Sequence, residues 1–176
     1  MTLALFLRIF KLKKLLYLFL ALLLPALVFV FLKYAGRNEF NIPVYFENGV
    51  LEPPSECGVA YPSPYRVPDS VWQRRSITLL DANVLVFPKE GLVLPTLKSK
   101  IEGEFGKKDV AFIETSMLTV DSATSSRLRK CVFFVDDPWE TVLIDREGRI
   151  RGYYDLLSRE DEDRLRVELK VLLKKY

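Results

Sequence analysis

The chemistry open to this chain is limited first by what it lacks. It contains no histidine. That removes imidazole acid–base catalysis, histidine-activated serine or cysteine nucleophiles, and histidine-ligated metal. Cys57 and Cys131 are its two cysteines, and no CxxC or CxxxC pair occurs, so a local dithiol motif is absent. Their separation leaves two readings. In an oxidising compartment they form a disulfide, and closing a loop of about 75 residues removes roughly 4 kcal/mol of unfolded-state entropy on the chain model. Otherwise they are two separate thiols, one buried in a strand and one on the segment before the domain. Thiol–disulfide exchange between them requires adjacent sulfurs and one exposed thiolate.

The remaining polar candidates are weaker. Glu90, Asp136 and Asp137 supply oxygen ligands of the kind a hard cation takes, but acids at loop ends are ordinarily solvated. Tyr153 and Tyr154 are consecutive in a strand-like run, so they point to opposite faces. One is expected in the core and the other exposed as a docking residue. Arg149 and Arg151 share a face, either paired with nearby acids or on a solvated edge. Tyr153, Tyr154, Arg149 and Arg151 are therefore the candidate docking set.

The elements that must position these residues begin with a membrane segment. Residues 15–32 form an uncharged run of 18. At 1.5 Å per residue it reaches roughly 27 Å, close to the hydrocarbon thickness of a bilayer. Pro25 lies inside it, as membrane helices tolerate. Arg8, Lys11, Lys13 and Lys14 precede the run, and Lys33 and Arg37 follow it, with no acid among residues 1–37. This bias places residues 1–14 in the cytoplasm and the C-terminal domain outside it, on the periplasmic side in a bacterium. No small-x-small cleavage site with uncharged flanks follows the run, which favours an uncleaved anchor over a signal peptide.

The net charge of +3 belongs to that end; the rest of the chain is net −3. A basic nucleic-acid surface is therefore not expected.

Residues 33–70 read as a proline-rich tether. Pro43, Pro53, Pro54, Pro62, Pro64 and Pro68 disfavour long helix and central strand. Interleaved Phe40, Tyr45, Phe46, Tyr61 and Tyr65 suit a segment lying along a domain surface. Residues 71–176 read as one α/β domain. Residues 76–80, 82–87, 109–115 and 131–135 are apolar runs of strand length. Leu97, Ile101 and Phe105 recur at helical spacing over 95–105. Residues 141–145 and 149–154 flank Arg146-Glu147-Gly148 as a hairpin. The closing helix has Ser158 as N-cap with Asp161 three residues on, acids in its first turn, and Lys170, Lys174 and Lys175 in its last. Its apolar stripe is Leu165, Leu169, Leu172, Leu173 and Tyr176. Strand, helix, strand, hairpin and closing helix are the element order of a thioredoxin-like fold.

Residues 142–155, Val-Leu-Ile-Asp-Arg-Glu-Gly-Arg-Ile-Arg-Gly-Tyr-Tyr-Asp, resemble the C-terminal hairpin of the SCO/SenC family. Those are membrane-anchored, thioredoxin-fold copper chaperones of cytochrome c oxidase assembly. The following helix and the N-terminal anchor fit the same pattern. The resemblance implies a copper site built from CxxxC after the first core strand and a distant histidine. Here Glu90 and Leu94 stand at the cysteine positions, and the histidine position falls at about Asp137. Cu(I) prefers soft thiolates, so these residues imply a degenerate site without metal, cofactor or enzymatic activity. The segment between Thr115 and Cys131 is also short for the helix that the family carries there. The expected function is a non-catalytic accessory or assembly factor for a respiratory complex such as cytochrome c oxidase. The alternatives are a thiol oxidoreductase using Cys57 and Cys131, or an anchored interaction domain unrelated to respiration.

Overall fold

A computed structural model describes residues 3–35, 41–58, 60–92, 94–119 and 121–174. Arg37, Phe40, Lys175 and Tyr176 lie outside the described residues. The chain divides into two compact units, Met1–Phe40 and Asn41–Tyr176.

The first unit is one helix, α1 (Leu3–Ala35), of 33 residues with Pro25 inside it. Its length is roughly 50 Å, more than the hydrocarbon core requires. Within it, Leu16–Lys33 is long and apolar enough to cross a membrane. A helix satisfies its own backbone hydrogen bonds, as a lipid environment demands.

The second unit contains α2 (Asp69–Gln73), β1 (Ala82–Val86), α3 (Leu94–Phe105), β2 (Val110–Glu114), α4 (Ser122–Cys131), β3 (Thr141–Asp145), β4 (Ile150–Tyr154) and α5 (Arg159–Leu172). Its four-stranded sheet has the order β2-β1-β3-β4. β1 runs parallel to β2 and antiparallel to β3, and β3 runs antiparallel to β4.

Strand alternation sorts the core into two layers. Ala82, Val84, Val86 and Leu143 pack with Leu97 and Ile101 of α3 and Leu165 and Leu169 of α5. Leu85, Val142, Ile144 and Tyr153 pack on the other side with Trp72, Phe133, Tyr65 and Val67. Gly152 permits a close approach: a Cβ there would overlap the Tyr154 ring, which folds back across it.

Several expectations change. The stretch 41–70 is part of the domain, not a tether on its surface. Ile42, Cys57, Tyr65 and Val67 are buried. Tyr45 and Val67 donate backbone N–H groups to Ile150 and Gly148. The prolines do prevent regular elements, but side-chain burial and isolated backbone bonds hold the segment instead.

Residues 76–80 are not a strand. Ile77 N–H bonds back to Trp72, and the Asn83 amide takes both the N–H and the carbonyl of Leu80. Residues 131–135 are not a strand either. Cys131 ends α4, and the N–H groups of Val132 and Phe133 both close onto Leu128. The segment after Thr115 does hold a helix, α4, started by Asp121, whose carboxylate accepts from the Thr124 N–H at 2.7 Å. Ser158 occupies the N-cap of α5 without a side-chain capping bond; Asp161 instead accepts from the Asp155 N–H.

Candidate functional site

Three strand ends meet at one edge of the sheet: the C-termini of β1 and β4 and the N-terminus of β3. Phe87 donates its N–H to the Glu140 carbonyl at 2.8 Å, and Glu140 donates to the Tyr154 carbonyl at 3.2 Å. These bonds carry the ladder one residue past the strands and fix Glu140 between them.

The Glu140 side chain is fully buried. Its Oε1 accepts from the Leu156 N–H, whereas its Oε2 has no hydrogen-bond partner among the described residues. Lys89, in the loop after β1, brings its Nζ to 3.7 Å from that Oε2 and 4.0 Å from Asp155 Oδ1. The same ammonium donates to the Pro138 carbonyl at 2.9 Å. The Asp137–Pro138 peptide is cis.

Burial raises the Glu140 carboxyl above the usual glutamate range. The Leu156 N–H opposes that rise, Asp155 adds to it, and Lys89 opposes it. One lysine between a buried and a half-buried carboxylate provides a charged clasp. It provides no thiol and no imidazole.

The copper-ligand positions that the family resemblance implies lie around this clasp. Glu90 is exposed, Leu94 is half-buried at the start of α3, and the Asp137 side chain is 94% exposed. Asp137 is bound to Arg129 at 2.9 Å. One leucine and two solvated carboxylates do not fit Cu(I), which selects soft sulfur and imidazole donors. Among the described residues, no group of three or more acids and cysteines gathers in a way that could hold a metal, so Glu90, Asp136 and Asp137 do not form a carboxylate site.

Cys57 and Cys131 are joined by a disulfide, with Cα atoms 5.5 Å apart. Both residues are buried. The bridge ties the first stretch of the domain to the end of α4. Tyr61 donates from its hydroxyl to the Cys131 carbonyl at 3.0 Å beside it.

The docking set is corrected most. Tyr153 and Tyr154 do face opposite sides, but both sides are covered. The Tyr153 hydroxyl donates to the Phe133 carbonyl at 2.8 Å, and Tyr154 donates to Glu168. Burial raises both phenols far above their ordinary range. Arg151 is buried against Asp145 at 3.3 Å. Arg149, one-third exposed, holds Asp145 at 2.6 Å and Glu147 at 2.9 Å. These residues hold the hairpin together.

Sequence reasoning missed Lys89 and Glu140. The one available signal was an acid immediately before the apolar run of β3, where a half-buried strand ordinarily begins with a solvated residue.

The fold and site together define a mixed α/β domain whose polar centre is an ion-paired clasp at the strand ends. Comparison with protein-family models, curated proteins and solved structures gives no match to this chain.

Proposed function

We propose that this chain is a membrane-anchored, non-catalytic binding module with a thioredoxin-like fold. On this reading it is related to the SCO/SenC proteins and serves as an accessory or assembly factor for a membrane complex such as cytochrome c oxidase. The fold part is supported by the strand order β2-β1-β3-β4, with β3 alone antiparallel to β1. The observation that carries the functional part is the Lys89–Glu140 clasp in the loop after β1, where the family places its soft ligands. An anchor is supported by the Leu16–Lys33 window, and an oxidising outer compartment by the Cys57–Cys131 disulfide.

The oxidoreductase reading is disfavoured by geometry, because both cysteines are buried and thiol exchange requires an accessible sulfur. Two measurements test the proposal. A C-terminal alkaline phosphatase fusion should be active, and the mature protein should retain its N-terminal segment by intact mass. Cross-linking in membranes should recover subunits of a respiratory complex. Recovery of unrelated membrane proteins alone would leave an interaction domain outside respiration.

A further inference from the structure

Glu140 is held in place on every side. Its backbone is bonded to Phe87 and Tyr154, its Oε1 accepts from the Leu156 N–H, and its side chain is wholly buried. Its Oε2 nonetheless lacks a hydrogen-bond partner among the described residues. A buried carboxylate oxygen so placed is costly unless it gains a donor or carries a proton. The Asp155 side chain stands within hydrogen-bonding reach of a protonated Glu140 carboxyl. Asp155 is 22% exposed, and its Oδ1 accepts from the Leu157 N–H at 3.1 Å. Lys89 approaches both acids, at 3.7 Å from Glu140 and 4.0 Å from Asp155.

The charged groups on the neighbouring elements are engaged with one another. On α5, Asp161 accepts from the Asp155 N–H and pairs with Arg164 at 3.3 Å. Lys100 of α3 pairs with Glu162 of α5 at 3.1 Å. Glu90, next to Lys89, is exposed. Two carboxylates therefore face one ammonium, and the centre is charge-balanced when they hold one proton between them. Loss of that proton sets like charges side by side. Asp155 is the partner able to turn outward, since it reaches solvent and Glu140 does not.

We propose that Glu140 and Asp155 share a proton that latches the β1–α3 loop to the turn before α5, and that loss of this proton as pH rises opens the crevice between them. That crevice, of about 210 Å³, is lined by Gly91, Leu92, Leu97, Leu156 and Leu157. The Leu157 side chain lies against Gly91, 3.7 Å from where a Cβ on that glycine would stand. In the closed state the Glu140 Oε2–H donates to Asp155, whose negative charge balances Lys89. On deprotonation the proton passes to solvent and Asp155 turns outward, releasing the Leu157 N–H and Lys89. Burial, first, raises the Glu140 carboxyl, so the closed state holds the proton more tightly than the open one. The latch is therefore intact at low pH and lost as pH rises through the raised value. This rests on the binding-module reading and adds a control of access to its clasp.

The test is hydrogen exchange of the full detergent-solubilised chain over a pH series, read by mass spectrometry and corrected for the intrinsic pH dependence of exchange. Exchange at residues 89–92 and 155–158 should quicken by about tenfold per pH unit while Glu140 gives up its proton, because opening is linked to one proton. Helix α4 should keep constant protection. The infrared band of a protonated carboxylic acid should vanish over the same pH range. Glu140→Gln has no proton to lose and donates its amide to Asp155, so these loops should stay closed at every pH. Asp155→Asn removes the like charge, so it too should show no step, and its acid band should vanish at lower pH. Circular dichroism checks both folds, and Asp155→Asn, at a partly exposed site, carries the test if Glu140→Gln does not fold. Exchange that is flat with pH in wild type, a step that persists in either variant, a step without loss of the acid band, or parallel loosening of α4 each overturns the latch. The module reading is judged separately, by the membrane cross-linking above, and survives a failed latch.

Discussion

The Arg151 guanidinium donates to the Ile42 carbonyl oxygen at 2.6 Å, joining residues 109 apart in sequence. Its other arm reaches Asp145 Oδ2 at 3.3 Å. Asp145 also accepts from the backbone N–H groups of Glu147 and Arg149. One buried arginine therefore connects the beginning of the domain to the turn of the β3–β4 hairpin. Arg151→Met leaves a buried carbonyl without its donor and Asp145 with one cation fewer. It should destabilise the domain by on the order of 3 kcal/mol, as removal of one partner from a buried pair does. Urea unfolding of the detergent-solubilised chain, followed by tryptophan fluorescence, measures this. A loss within about 0.5 kcal/mol, typical of surface sites, would show that Arg151 is solvated rather than clamped.

That contact also marks where the sequence stopped being legible. Helices α3 and α5 announce themselves through periodicity, because each buries one face, and the β3–β4 hairpin through the turn between its two apolar runs. The stretch from Asn41 does not, because its stability comes from partners far along the chain: Gly148, Ile150, Arg151 and Cys131. Prolines removed regular structure from it and made it read as a tether. Helix α4 was hidden for the opposite reason. Its polar Ser-Ala-Thr-Ser-Ser start has no apolar period, and the Asp121 cap supplies the start signal. The clasp escaped because a half-exposed lysine paired with a buried glutamate follows no spacing rule. Tyr153 and Tyr154 followed the alternation rule correctly, but sheet layers cover both faces.

Leu169 is fully buried between α5 and the sheet, whereas Val167 on the same helix is 59% exposed. Leu169→Ala should cost on the order of 2–4 kcal/mol, the range for truncating a packed core leucine. Val167→Ala should change stability by less than about 0.5 kcal/mol. Comparable losses at both positions in the same denaturation experiment would mean that α5 packs through a different face.

The Cys57–Cys131 bridge closes a sequence separation of 74 residues. Its removal should lower stability by about 4 kcal/mol on the chain-entropy model. Cys57→Ser/Cys131→Ser compared with the oxidised chain provides the measurement. Hydrogen exchange should speed up most in residues 41–67, which the bridge pins to α4. Unchanged exchange there would show that packing alone holds the segment.

Glu140 has its carboxyl raised above the ordinary glutamate value of 4.5, first by burial. The sign follows directly. Below about 4.5 both folded and unfolded states hold the proton, and the group adds no pH dependence. As pH rises from there to the raised folded value, the unfolded chain releases its proton first and stability falls. Above the raised value the penalty is constant. Glu140→Gln keeps an acceptor for the Leu156 N–H but does not titrate. Wild type should therefore lose stability relative to Glu140→Gln as pH climbs above about 4.5, measured by parallel denaturation at a series of pH values. A wild type that instead gains on the variant as pH rises would mean that Lys89 dominates over burial.

The last prediction concerns copper. Lys89 bonds to the Pro138 carbonyl and so holds the loop containing Glu90 against the segment containing Asp137. Leu94 opens α3 just after that loop. If the alignment to the SCO/SenC pattern is right, these three positions surround one point, and only their chemistry is wrong for Cu(I). Wild type offers two hard carboxylates and a leucine there. Its two cysteine sulfurs are bonded to each other elsewhere in the domain. Glu90→Cys/Leu94→Cys/Asp137→His would supply two thiolates and an imidazole, the soft set that Cu(I) selects. In a competition titration against a soft chelator, the triple variant should take up one copper tightly and wild type should not. Each single variant should fall far short, because one soft donor does not complete a site. Failure of the triple variant to bind, with its fold intact by circular dichroism, would remove the alignment and the family reading with it. Tight uptake by wild type that disappears in Glu90→Ala would overturn the degenerate site.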